Sequence, residues 1–109
     1  VAVINTWATY NFDSQDLQRE LKKRMRASQG KLKVMSICLD PSKVDCKRSL
    51  DRDSISWSNI CTGDMLEDKT LQKLGMTSVP DVIVLQNGKI VARGLKRQEL
   101  YDKLDQLLK

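Results

Sequence analysis

Val1-Ala2-Val3-Ile4-Asn5-Thr6-Trp7 runs directly into Ala8-Thr9-Tyr10-Asn11-Phe12-Asp13-Ser14. The first seven residues carry no charge and are mostly apolar or β-branched. They read as a strand buried on both faces, as in the middle of a covered sheet. Asp13 or Ser14 then offers a side-chain oxygen to cap a helix. Leu17, Leu21 and Met25 recur at four-residue spacing and mark the inner face of that helix. Gln18, Arg19, Glu20, Lys22, Lys23, Arg24 and Arg26 lie between them and point outward. Gly30 closes the helix or the turn after it.

Leu32 to Leu39 is a second strand, stopped by Asp40-Pro41, and Ser42 to Arg52 is a short helix. Trp57 to Cys61 reads equally as a short strand or an extended loop. Gly63-Asp64 is a turn. Leu66 to Leu74 is helical, with Leu66, Thr70, Leu71 and Leu74 inward and Gly75 past its end. Asp81 to Leu85 is a strand, and Asn87-Gly88 turns it into a hairpin with Ile90 to Gly94. The last helix, Lys96 to Leu108, has Leu100, Tyr101, Leu104, Leu107 and Leu108 on one stripe. Strands alternating with helices imply parallel pairing through right-handed crossovers, and the late hairpin adds antiparallel edge strands. The expected class is α/β: three layers, with a mixed central sheet and helices on both faces.

The chain has 109 residues, the size of one domain. No apolar run approaches the roughly 18 residues of a spanning helix, and no basic region precedes Val1 to Trp7 as in a signal peptide. There is no histidine, which excludes an imidazole base, a His-ligated metal and a Ser-His-Asp triad. The three cysteines are an odd number, so at least one thiol stays free within a monomer. The net charge is +5. Lys22, Lys23, Arg24, Arg26, Lys31 and Lys33 supply much of the basic excess, a run that reads as a solvated face. No aromatic residue interrupts it, so no nucleic-acid partner is expected.

The element order and two strings resemble the thioredoxin superfamily. Asn5-Thr6-Trp7-Ala8-Thr9-Tyr10-Asn11-Phe12-Asp13-Ser14 is similar to the strand-to-helix junction that active members write Asn-Phe-Trp-Ala-Ser/Thr-Trp-Cys-x-x-Cys. Val79-Pro80-Asp81-Val82-Ile83-Val84-Leu85, followed by Asn87-Gly88-Lys89-Ile90, is similar to the cis-proline loop and hairpin. The stretch Pro41 to Trp57 resembles the helical insertion of the TlpA-type branch, which holds envelope thiol–disulfide oxidoreductases and peroxiredoxin-like (AhpC/TSA) proteins. The resemblance implies one thioredoxin-like domain over residues 1–109, lacking the N-terminal hairpin of that branch, in the periplasm or cell envelope.

The same alignment places Asn11 and Ser14 where both active-site cysteines belong. The chemistry needs a helix-terminal thiolate and a second thiol to resolve the mixed disulfide. Asn11 cannot become a thiolate, and nothing activates the Ser14 hydroxyl. The main expectation is a non-redox binding or structural module. Its groove would use Tyr10, Asn11, Phe12, Val79 and Pro80, with the Val79 backbone pairing to a protein or peptide partner. The alternative is a thiol–disulfide oxidoreductase or peroxiredoxin-like enzyme built on Cys46 or Cys61.

Cys38, inside an apolar strand, reads as a buried small hydrophobe. Cys46, beside Lys47 and Arg48, is the best candidate for a reactive thiol. Cys61 reads as a packing residue. A Cys46–Cys61 disulfide stays open, with 14 residues between the two. No pair has Cys-x-x-Cys spacing, so no metal site, cofactor or relocated redox pair is expected. Asn11, Asp13, Ser14 and Asp81 would make a mildly acidic cluster if they converge, more naturally for capping than for a cation. Asn5 reads as a buried amide bonded to backbone, and Trp7 and Tyr10 as packing residues flanking the site.

Overall fold

The computed structural model describes residues 1–61, 63, 69–76 and 78–108. The strands are β1 (Ala2–Trp7), β2 (Lys33–Cys38), β3 (Asn59–Ile60), β4 (Val82–Gln86) and β5 (Lys89–Arg93). The helices are α1 (Phe12–Ala27), α2 (Lys43–Arg52), α3 (Lys69–Leu74) and α4 (Arg97–Leu107). Leu66, expected on the inner face of the third helix, lies outside the described residues, as does Asp64 of the turn before it.

The five strands form one sheet in the order β3-β2-β1-β4-β5. β1 pairs in parallel with β2, and β2 with β3. β1–β4 and β4–β5 are antiparallel. The uncharged opening segment is therefore the central strand, as its composition predicts. The hairpin closes through Asn87 and Gly88, both at positive φ (54° and 77°), the pair of left-handed residues that a two-residue hairpin turn requires. The Trp57–Cys61 ambiguity resolves into two paired residues, Asn59 and Ile60, at the sheet edge.

Side chains alternate across the sheet. Val3, Val34, Val82 and Val84 face one side and pack with Leu17 and Leu21 of α1 and Leu100 and Leu104 of α4. Ile37 and Ile83 face the other and pack with Leu39, Leu71 of α3 and Met76. The result is a three-layer α/β sandwich of helix, sheet and helix.

Three details of α1 differ from its sequence pattern. The N-cap is Asn11, whose side chain accepts from the Ser14 N–H, so neither Asp13 nor Ser14 caps the helix. Gln18 does not point outward: it is 3% exposed. Spacing misplaces it because its amide has partners in the core. Asn5 Nδ2 donates to Gln18 Oε1 at 3.3 Å, and the Ser36 hydroxyl lies 2.8 Å from the same oxygen and 2.5 Å from Asn5 Oδ1. Asn5 is thus buried, but against side chains and not backbone. The basic run is not a uniform solvated face either. Lys22 Nζ donates to the Asp53 carbonyl at 2.8 Å, and Arg19 pairs with Asp53 at 3.4 Å, fastening α1 to the end of α2. Arg24 pairs with Glu20 and Asp105 and stacks over the Tyr101 ring at 4.6 Å, fastening α1 to α4.

Candidate functional site

Two groups of candidate residues sit at the carboxyl ends of the parallel strands, the usual place for sites in α/β sheets. The first is the β1–α1 junction. Asn11 Oδ1 accepts the Ser14 N–H at 2.8 Å. The buried Ser14 hydroxyl donates to the Asn11 carbonyl at 2.8 Å and accepts the Ala8 N–H at 3.1 Å. Both side chains are consumed in closing the turn. Asn11 Nδ2 also donates to the Val79 carbonyl at 3.4 Å, and the Val79–Pro80 peptide bond is cis. Asn11, Ser14, Val79 and Pro80, separated by more than 60 residues in sequence, are therefore brought together.

Tyr10 and Phe12 flank this junction at 62% and 73% exposure. Tyr10, expected to pack, is exposed in the turn before α1. Trp7 is buried and donates its indole N–H to Asn59 Oδ1 at 2.8 Å. Beside the junction a cleft of about 320 Å³ is lined by Asp13, Leu17, Pro80, Leu95, Arg97 and Leu100, among others. Asp81, grouped in the sequence with Asn11, Asp13 and Ser14, is engaged at the start of β4. Its carboxylate accepts the Val82 N–H at 2.9 Å, and its backbone N–H donates to the Thr6 hydroxyl at 2.7 Å, which pins the start of β4 to β1.

The second group is sulfur. Cys46 of α2 and Cys61, just after β3, form a disulfide. Cys46 is fully buried and half-buried Cys61 packs against the same cluster, which contains Trp7, Cys38 and Leu50. The Cys46 sulfur, expected beside Lys47 and Arg48 as the best candidate for a reactive thiol, faces the core and is bonded to Cys61. No Cys-x-x-Cys spacing marks this disulfide in the sequence. A Cys-x-x-Cys search detects sulfurs that meet across one helical turn, whereas these meet across the β2–α2–β3 crossover. The Cys38 thiol is free and buried. Loss of solvent pushes its pKa up to about 11, with the nearby Asp40 charge adding to the rise and a hydrogen bond from the Asp40 backbone opposing it. The three sulfurs lie within 4.8 Å of one another, and among the described residues they are the only such group of potential metal ligands. Cys38, Cys46 and Cys61 share no local motif, so their spacing in the sequence gives no sign that they meet.

Asp40 joins the two groups. Its carboxylate accepts the Thr9 N–H at 2.8 Å and a short bond from the Thr9 hydroxyl, and the Leu39 N–H donates to the Trp7 carbonyl at 2.8 Å. The loop carrying Asn11 is thus tied to the segment that runs from Cys38 to Cys46. Nothing in the sequence pattern of Asp40 or Thr9 points to this contact, beyond an acid just before a proline at a strand end.

The fold is thioredoxin-like, and solved structures with the same fold include thiol–disulfide oxidoreductases. A thiol–disulfide oxidoreductase from Bacteroides fragilis is 25% identical, with a TM-score of 0.82, over 97% of this chain and 80% of its own. The thioredoxin domain of a thiol–disulfide oxidoreductase from Bacteroides vulgatus is 21% identical, with a TM-score of 0.80, over 99% and 79% of the two chains. A thiol:disulfide interchange protein from a Bacteroides species is 21% identical, with a TM-score of 0.77, over 98% and 72%. No family model matches the chain, and no curated protein matches it. No helix among the described residues is long and apolar enough to cross a membrane.

Proposed function

We propose that this domain performs thiol–disulfide exchange through the Cys46–Cys61 pair, in place of a dithiol at the start of α1. The observation that carries this reading is the disulfide itself, which joins α2 to the end of β3 beside Trp7. Cys61 is the sulfur open to attack, because Cys46 has no exposed surface. A substrate thiolate attacks Cys61 Sγ, the Cys46–Cys61 bond breaks, and its electron pair leaves on Cys46 Sγ, which takes up a proton. A second substrate thiolate then attacks the substrate-side sulfur and expels Cys61. The substrate loses two electrons and two protons and becomes a disulfide; the protein pair gains both and becomes two thiols. Asn11 and Ser14, as replacements for the family's cysteines, take no part in electron transfer. A disulfide of this kind persists in oxidising compartments, which supports a place in the periplasm or cell envelope.

The test is reduction of insulin by dithiothreitol with and without the protein. The expected result is a rate above the uncatalysed one that disappears in Cys61→Ser. A rate equal to buffer alone rejects the proposal.

A second reading has its own support. Tyr10, Asn11, Phe12, Val79 and Pro80 form a non-redox docking groove for a protein or peptide partner. Two exposed aromatic rings beside a cleft are the anchors such a groove needs. Insulin inactivity together with loss of partner binding in Phe12→Ala selects this reading over the first.

A further inference from the structure

Cys38, Cys46 and Cys61 come from three different elements, β2, α2 and the segment after β3, yet their sulfurs occupy one small volume. A disulfide needs two of them. The third, Cys38, is fixed in the same apolar enclosure, and the redox reading gives it no task. We propose that the reduced protein binds one thiophilic closed-shell metal ion, Cu(I) or Zn(II), through the sulfurs of Cys38, Cys46 and Cys61.

The geometry suits three-sulfur coordination. Sulfurs bound to one ion at roughly 2.3 Å stand about 3.8–4.0 Å apart. The three sulfurs already lie within 4.8 Å of one another, so once the disulfide is open a shift of roughly 1 Å by each sulfur brings them to that spacing. An all-sulfur donor set selects soft ions over calcium, magnesium or manganese. The chain holds no histidine to complete a four-coordinate His/Cys site, and the enclosure is formed by Trp7 and Leu50. Three donors, with no fourth in the group among the described residues, favour Cu(I), which accepts trigonal coordination, over Zn(II), which prefers four ligands. Metal and disulfide are mutually exclusive, so the site exists only after reduction. A phosphine or a cellular dithiol supplies the two electrons. With a phosphine, the disulfide, one phosphine and one water give two thiols and a phosphine oxide. Each thiol that then binds the ion releases one proton.

The inference uses the reducibility of the Cys46–Cys61 pair but not its catalytic turnover, so insulin inactivity leaves it standing. The test is anaerobic titration of the folded chain, reduced with a water-soluble phosphine, with Cu(I) against a chromophoric Cu(I) chelator and separately with Zn(II). Thiols are counted before metal is added. The expected result is three free thiols, one equivalent of Cu(I) bound with near-ultraviolet thiolate-to-metal absorption, and weaker Zn(II) binding. The oxidised protein should bind neither ion. Cys38→Ser and the less buried Cys61→Ser should each weaken binding at least a hundredfold, with circular dichroism confirming that each variant is folded. A disulfide that stays closed in the folded protein overturns the proposal. So does a reduced protein that binds no ion, or Cu(I) binding equally strong in folded Cys61→Ser.

Discussion

Asn11 donates its side-chain N–H to the Val79 carbonyl at 3.4 Å, tying the start of α1 to the loop that precedes β4. Its oxygen meanwhile caps the helix through the Ser14 N–H. One amide therefore serves two elements that lie 68 residues apart in the chain. Asn11→Ala removes the cap and the tie together. Loss of an N-cap side chain costs about 1 kcal/mol, which lowers the melting temperature of a domain this size by roughly 4–8 °C. Thermal unfolding of the variant checks it, and an unchanged midpoint would show that the amide contributes nothing.

The disulfide closes a 15-residue separation between α2 and the end of β3. Cross-linking a loop of that length stabilises by about 3 kcal/mol, chiefly by restricting the unfolded chain. Urea unfolding with and without a phosphine reductant should show a lower midpoint for the reduced protein. Cys46→Ser should fall further than Cys61→Ser, because it also places a hydroxyl in a fully enclosed site. Equal midpoints for the oxidised and reduced wild type would count against a stabilising disulfide.

Ser36 is the hub of a buried polar network. Its hydroxyl lies within hydrogen-bond distance of Asn5 and Gln18 and accepts the Trp57 indole N–H at 2.8 Å. Ser36→Ala strands these partners away from water at a cost of about 1–3 kcal/mol. Gln18→Glu in addition buries a charge, and should be the more damaging change. The comparison to make is the urea midpoint of each variant with that of an exposed control, Lys23→Ala, which should stay within about 0.5 kcal/mol of wild type.

Asp53 carries the pH dependence. Burial by itself would raise its carboxyl pKa, but the hydrogen bond from Arg52 and the charges of Arg19 and Arg52 outweigh that and hold it below the ordinary value. Its folded pKa lies below its unfolded one, so its contribution is complete above the unfolded value and is lost as the pH falls through the folded value. Asp53→Asn should therefore lower stability at pH 7 by about 0.5–1 kcal/mol. The difference from wild type should shrink as the pH falls below the ordinary aspartate value and be gone by about pH 1. Denaturation midpoints at both pH values decide it, and a gap that persists in acid would rule out this titration as the cause.

Phe12 is more exposed than Tyr10 and is not part of any core cluster among the described residues. Phe12→Ala should leave stability within about 0.5 kcal/mol of wild type. An unfolding midpoint that drops by more would mean that the ring packs in solution and is not free for a partner.

The sequence by itself determined the element order, the central strand, the hairpin turn and the α/β class. Each rests on a local pattern: uncharged β-branched runs, four-residue leucine spacing, and an Asn-Gly pair. Tertiary structure decided the rest, because the deciding contacts join residues far apart in sequence. Gln18 carries a polar side chain on a helix flanked by charges, and only Asn5 and Ser36 across the layer make its burial favourable. Asp40 matters through Thr9, 31 residues away. Cys38, Cys46 and Cys61 look like three unrelated thiols until the β2–α2–β3 crossover folds them into one volume. Spacing rules encode only proximity within a turn or a hairpin, whereas this cluster is produced by parallel strand pairing, which brings distant segments together without a local signature.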